Sequence, residues 1–224
     1  MGLTLDRRKN QLRRALALDR TLTTVQIERR GLLGAAEALD LPSVPLTCRT
    51  RVTQPHSNVN LTFVALDPAI LKRTERELMH YAGIAEARER SDLTGGVWRH
   101  VSIKGKTRLH LPDAEYIVHD GRTSSDWAIE FDAGYGFEKV RDKLRAAEQS
   151  GYRQFLWSTT VRARPGKFGD FLQELESKEP FETLRRVDVT FVDFWTNTDR
   201  TYTQSRRNHK VLSQTYPVGV DAVR

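Results

Sequence analysis

Beyond residue 96 the apolar side chains change their spacing, and this change limits the fold more than any other feature of the chain. Trp127, Ile129 and Phe131 alternate with Ala128, Glu130 and Asp132, a period of two that predicts a strand over 127–132. Residues 97–103 and 108–118 read as two further strands, with Gly105 turning the first and Asp120-Gly121 supplying a turn after the second. Phe137, Val140, Leu144 and Ala147 then line one face of a helix that ends at Gly151. A strand over 152–160, a helix over 168–175 and a strand over 187–195 complete the series. Consecutive strands joined by short turns, followed by helical crossovers, imply an α/β (α+β) mixed sheet flanked by helices.

The first third has the opposite character. Leu5, Leu12, Ala15 and Leu16 share one helical face, and Arg7, Arg8, Arg13 and Arg14 occupy the other. Thr23, with Gln26 three residues on, predicts a capping box and a short second helix. Gly31 breaks the chain, residues 32–39 read as a third helix, and Pro42 and Pro45 stop it. Strands over 50–54 and 58–65 follow, turned by Pro55-His56-Ser57. Three short helices and a hairpin are the order of a winged helix-turn-helix, whose third helix enters a DNA groove. That helix, GLLGAAEALDL, offers no Arg, Asn or Gln to base edges. The readers then lie at its ends (Arg29, Arg30, Arg49, Arg51), or the unit serves packing or dimerisation, the second of which would make a homodimer. Asp67-Pro68 predicts one more helix, with Pro at its first position, running to Arg90. The expected organisation is a winged helix over 1–66, an α/β domain over 67–196 and a basic tail over 197–224.

Composition supports a nucleic-acid partner. The 36 Lys and Arg exceed the 29 Asp and Glu, giving a net charge of +7. The excess is clustered on the first helix, on Arg99, Lys104, Lys106 and Arg108, and on Arg206 and Arg207. Clustered cations that neutralise phosphates release counterions and so bind nucleic acid. With 9 Phe, 6 Tyr and 4 Trp, the chain is not of the disordered class. Trp98, Trp127, Trp157 and Trp195 fall on predicted strands and are assigned to the core. The sequence shows no apolar run of membrane-spanning length and no secretory leader. Its single cysteine, Cys48, excludes an internal disulfide framework. A cytoplasmic setting without membrane contact is expected.

Alternation puts Glu130 and Asp132 on one face of their strand, and Pro112-Asp113 lies on the strand before. Clustered carboxylates raise one another's pKa unless a cation sits among them. Oxygen ligands of this kind suit Mg²⁺ or Mn²⁺. Glu77, on the preceding helix, is a further candidate ligand, and a simple ion pair with Lys104 or Arg108 is the structural alternative for the two strand acids. His80, His100 and His110 lack a metal-ligand spacing, and are read as polar surface or phosphate contacts.

Pro112-Asp113 followed by Glu130-Phe131-Asp132 resembles the PD-(D/E)XK, or restriction-endonuclease-like, nuclease superfamily. Over residues 1–160 the arrangement is similar to the plasmid replication-relaxation proteins, with ELMHYAGIAEAR, Val97-Trp98-Arg99, LPDAEYIV and AIEFDAG as the matching segments. The resemblance implies that Asp113 and Glu130 hold a metal and that a Lys positions water. Here Asp132 stands where that Lys belongs, so the Lys must come from the next helix, as Lys139 or Lys143. The expectation is a DNA-binding protein of plasmid or mobile-element replication or mobilisation that does not cleave. A divergent Mg- or Mn-dependent nuclease or nickase, using Asp113, Glu130, Asp132, Lys139 and Lys143, is the first alternative. A winged-helix transcriptional regulator is the second.

Overall fold

A computed structural model describes residues 4–101, 111–118, 126–196 and 212–219. The chain opens with helix α1 (Leu5–Asp19), which buries Leu12 and Leu16. Strand β1 (Thr21–Thr23), helix α2 (Thr24–Arg29), helix α3 (Leu33–Ala38) and strands β2 (Ser43–Arg49) and β3 (Asn58–Ala65) follow. The three strands form an antiparallel sheet in the order β1-β3-β2. The Thr23–Gln26 capping box is present at the start of α2.

One strand was not anticipated, and two local expectations need correction here. Thr21–Thr23 is a strand, too short to show alternation. The strand placed at 50–54 lies instead at Ser43–Arg49, across Pro45. A strand at the edge of a sheet accommodates a residue without an N–H, and β2 pairs with β3 alone. Residues 50–57 are a turn in which the Ser57 hydroxyl accepts from the Arg51 N–H at 3.0 Å. Likewise, the helix expected from Pro68 begins at Glu75. Asp67 accepts from the Ala69 N–H at 2.8 Å and Ile70–Lys72 makes one 3₁₀ turn. Thr74 and Glu77 then form a capping box for α4 (Glu75–Arg90).

The second sheet has six strands in the order β4-β5-β6-β7-β8-β9. These are Val97–His100, Ala114–Ile117, Trp127–Asp132, Gln154–Thr159, Arg186–Phe191 and Ser213–Pro217. β6 to β8 run parallel and the outer pairings are antiparallel, so the sheet is mixed. Helices α5 (Phe137–Gln149) and α6 (Arg164–Lys178) are the two crossovers. The strand over 127–132 stands as expected. β9 corrects the view of residues 197–224 as an arm or frayed end: Ser213–Pro217 pairs with β8. Its residues are mostly exposed, so no apolar alternation marked it. Among the described residues no helix is long and apolar enough to cross a membrane.

Alternate faces of the sheet carry separate cores. Trp127, Ile129 and Phe131 pack towards α4, while Ala128 packs with Val140, Leu144 and Phe168 of α5 and α6. Trp98, Trp127 and Trp157 are buried, as assigned, and Trp195 is half-buried. Helix α4 is buried along most of its length, contributing Leu78, Met79, Ala82 and Ile84 to the core against β6 and Ala85 to the cluster of the first unit. Its charged groups are tied as well. Buried Asp19 accepts from Arg88 at 2.8 and 2.6 Å, and Arg30 approaches it at 3.7 Å. Glu86 takes Arg29 at 3.1 Å and Arg90 at 3.0 Å.

A Cβ at Gly83 would lie 2.2 Å from the Phe131 ring. Because Phe131 is fully buried, the ring has no room to retreat. Gly83→Ala should therefore destabilise the protein by about 1–3 kcal/mol in urea denaturation, despite alanine's better helix propensity. A variant of equal or greater stability would show that α4 does not rest directly on β6.

Candidate functional site

Asp113 immediately precedes β5, where its carbonyl accepts from the Val101 N–H at 3.2 Å. Its carboxylate Oδ2 takes the main-chain N–H of Phe131 at 3.0 Å and lies 3.3 Å from His80 Nδ1 on α4. Glu130, in the middle strand, is 2 % exposed. Lys143 on α5 donates to Glu130 Oε1 at 2.7 Å and to the carbonyl of Leu111 at 3.2 Å. Of the two lysines expected from the following helix, Lys143 is the one that contacts Glu130. Lys139, one turn earlier, sits over the Tyr135 ring at 3.6 Å.

These groups line a cleft of about 510 Å³. Arg20, Arg73, Arg76, Lys139 and Lys143 contribute cationic side chains to its wall, against Glu77, Asp113 and Glu130. His80 bridges the site: Nε2 lies 3.4 Å from the Tyr135 hydroxyl, which accepts from Arg76 at 3.2 Å. A Tyr135 hydroxyl donating to Nε2 leaves the Nδ1–H for Asp113.

The two carboxyls ionise differently. Burial opposes the charge on Asp113, but His80, the Phe131 N–H and Lys143 outweigh it and lower its pKa to about 2. Burial, then the neighbouring Asp113 charge, push Glu130 well above the usual carboxylate range against the pull of Lys143. Lys139 is pushed down by burial and by the nearby Arg76 and Lys143.

Asp132 does not join the cleft. It is fully buried, and its Oδ1 accepts from the N–H groups of Gly134 and Tyr135 that begin the turn into α5. Oδ2 takes Trp157 Nε1 and the Thr159 hydroxyl at 3.2 Å each, with Arg164 at 3.3 Å. An acid with these partners is a structural anchor, so the expected three-carboxylate cluster is a pair. Glu77 lines the cleft, but its carboxylate caps α4 and takes Arg73 at 2.9 Å. Among the described residues no three His, Cys, Asp or Glu side chains are grouped to hold a metal ion. Asp113 and Glu130 nonetheless fit a divalent ion, since Mg²⁺ commonly takes one or two carboxylates and completes its shell with water and phosphate oxygens. At Glu130 burial and the Asp113 charge together outweigh the Lys143 ammonium.

The proposed DNA-contacting residues do not share one setting. Arg7, Arg8, Arg13 and Arg14 are exposed along α1, and Arg49 is exposed at the end of β2. Arg29 and Arg30 are corrected to internal ties, since Arg29 also donates to the Asp193 carbonyl at 2.6 Å. Arg51 is half-buried, and exposed Arg99 holds Glu115 at 2.6 Å. Lys104, Lys106, Arg108, Arg206 and Arg207 lie outside the described residues, as does His110. His100, half-buried, lines the cleft, and burial, then Arg20, push its pKa down to about 4, so it is uncharged at neutral pH. Sequence reasoning missed Arg76 and Tyr135 and set His80 aside. Arg76, Glu77 and His80 are spaced to share one face of α4, and that polar stripe was the available signal. No protein-family model matches the chain, nor does a curated protein or a solved structure.

A carboxyl whose pKa is higher in the folded than in the unfolded state stabilises the fold at low pH. That contribution is lost as pH rises past the unfolded value, about 4.3 for Glu. Glu130→Gln should accordingly gain stability over the parent at pH 8 but not at pH 4, read by urea denaturation at each pH. A variant less stable at pH 8 would show that the Lys143 ion pair dominates instead.

Proposed function

We propose that this chain is a DNA-binding protein whose cleft is a divergent, restriction-endonuclease-like phosphodiester site. The observation that carries the reading is the convergence of Asp113, Glu130 and Lys143 in a cleft walled by Arg73, Arg76 and Lys139. Two carboxylates and one ammonium are the residue types the resemblance calls for, and the displaced lysine restores the one that was absent. Arg and Lys on the walls suit a backbone phosphate by charge and by donor geometry.

Asp113 and Glu130 would hold a Mg or Mn ion. Such an ion supplies Lewis-acid polarisation of a phosphoryl oxygen. Lys143, with its ammonium already at Glu130, is placed to hold a water or a phosphate oxygen beside it. Arg76 and Lys139 orient the strand.

The first unit is read as a winged helix on the order of its elements and on its sheet order. Exposed α3 residues are Leu33, Gly34, Glu37 and Ala38, none of which reads a base edge well. Its contribution is backbone attachment through Arg7, Arg8, Arg13 and Arg14, which suits plasmid or mobile-element DNA handling better than operator recognition by a regulator. A second copy of the chain would add a further set of these arginines.

The non-cleaving version is the second reading, and one observation favours it: the Glu130 carboxyl is held towards its neutral form, the weaker metal ligand.

Supercoiled plasmid incubated with Mg²⁺ or Mn²⁺ separates the two. Cleavage predicts nicked circles whose rate falls about a hundredfold or more in Asp113→Asn and Lys143→Met. Without nicking at any metal concentration, the protein is the non-cleaving form, provided that a gel shift persists and weakens steeply as salt rises. No salt-sensitive shift would refute the DNA reading altogether.

A further inference from the structure

Two cavities meet at the C-terminal end of β6. One is the ionic cleft. The other, about 520 Å³, lies between β2, β3 and the start of α4 on one side and the turn into α5 on the other. Arg76, His80 and Tyr135 border both. Tyr135 is the divider, its hydroxyl held between Arg76 and His80 and one ring face covered by Lys139.

The second cavity is lined by apolar Val52, Met79, Phe131 and Ala133 and by polar or charged Thr47, Arg49, Asn58 and Glu75. Met79 and Phe131 are buried core residues, and Val52 is exposed. A nucleotide offers a matching pair of parts: an anionic phosphate, and a flat apolar ring with hydrogen-bonding edges. A base still stacked and paired in a duplex cannot enter a cavity; an unpaired one can.

We propose that the second cavity receives an unpaired nucleobase whose phosphate lies in the ionic cleft. The preferred substrate is then single-stranded or locally opened DNA, and closed duplex is disfavoured. This inference rests on the reading of the cleft as a phosphodiester site and names the substrate of that site.

Fluorescence anisotropy of the full chain tests it with three labelled probes: a short mixed-sequence single strand, its matched duplex, and that duplex with a one-nucleotide bulge. The single strand and the bulged duplex should bind about tenfold or more tighter than the matched duplex. Asn58 and Val52 are exposed at the cavity, so Asn58→Trp and Val52→Trp should fill it without disturbing the core and remove that difference. Thymidine 5′-monophosphate that competes with the single strand, and ceases to compete in both tryptophan variants, supports the pocket; competition that survives both tryptophans overturns it. Equal affinity for single strand and matched duplex overturns the inference and leaves the DNA reading standing, as does a preference that survives both tryptophans. Failure to bind any of the three probes removes both.

Discussion

The direct seating of α4 on β6 is the contact on which the remainder depends. Gly83 permits it, because the Phe131 ring occupies the space that any side chain there would need. Ala82, Ala85 and Ala87 keep the helix slim on its other buried faces. A helix this close to a sheet brings its polar stripe to the strand ends, which is why His80 reaches Asp113 and Arg76 reaches Tyr135. The same helix closes the core of the first unit through Ala85. Its burial brings Glu86 out of water and Asp19 with it, and both are compensated by arginines, as buried carboxylates must be. The sheet, the small helical unit and the cleft therefore share one structural member.

Electrostatics in the cleft follow from that geometry. Asp113 and Glu130 are too near one another and too little hydrated for both to ionise freely. Asp113 has the better donors and keeps its charge. Glu130 has one ammonium, and its pKa is raised. The arrangement responds to positive charge from outside, since a cation or a cationic ligand would relieve the strain between the two carboxyls.

Much of the sheet was legible. The alternation over 127–132 reported a strand whose two faces are both covered, and the apolar stripe of α5 placed Lys143 and Lys139 on the correct helix. What failed did so for physical reasons. β1 is three residues long, and β9 is mostly exposed, so neither leaves an apolar period. β2 crosses a proline that only an edge strand accepts. Pro68 opens a turn because Asp67 captures the Ala69 N–H before a helix can start. In the site, the pairing of Asp113 with Glu130 could be anticipated from adjacent strands. The removal of Asp132 could not, because alternation gives the face and not the partner: Asp132 is claimed by N–H groups of the turn it precedes. Tyr135 carried no signal of its own, since a tyrosine between two glycines reads as a loop.

The hairpin of the first unit has its own consequence. Its turn is fastened to the six-stranded sheet: the Val52 N–H donates to the Ala133 carbonyl at 2.7 Å, and the Thr160 hydroxyl donates to the Thr50 carbonyl. Together with the seating of α4, this removes the freedom that a tether between two modules would allow. The arginine row of α1 and the cleft then stand at a constant separation and angle, like two marks on a ruler. Under the proposed reading, a strand gripped by one would meet the other at a set number of nucleotides, and the length of that step would be written into the fold itself.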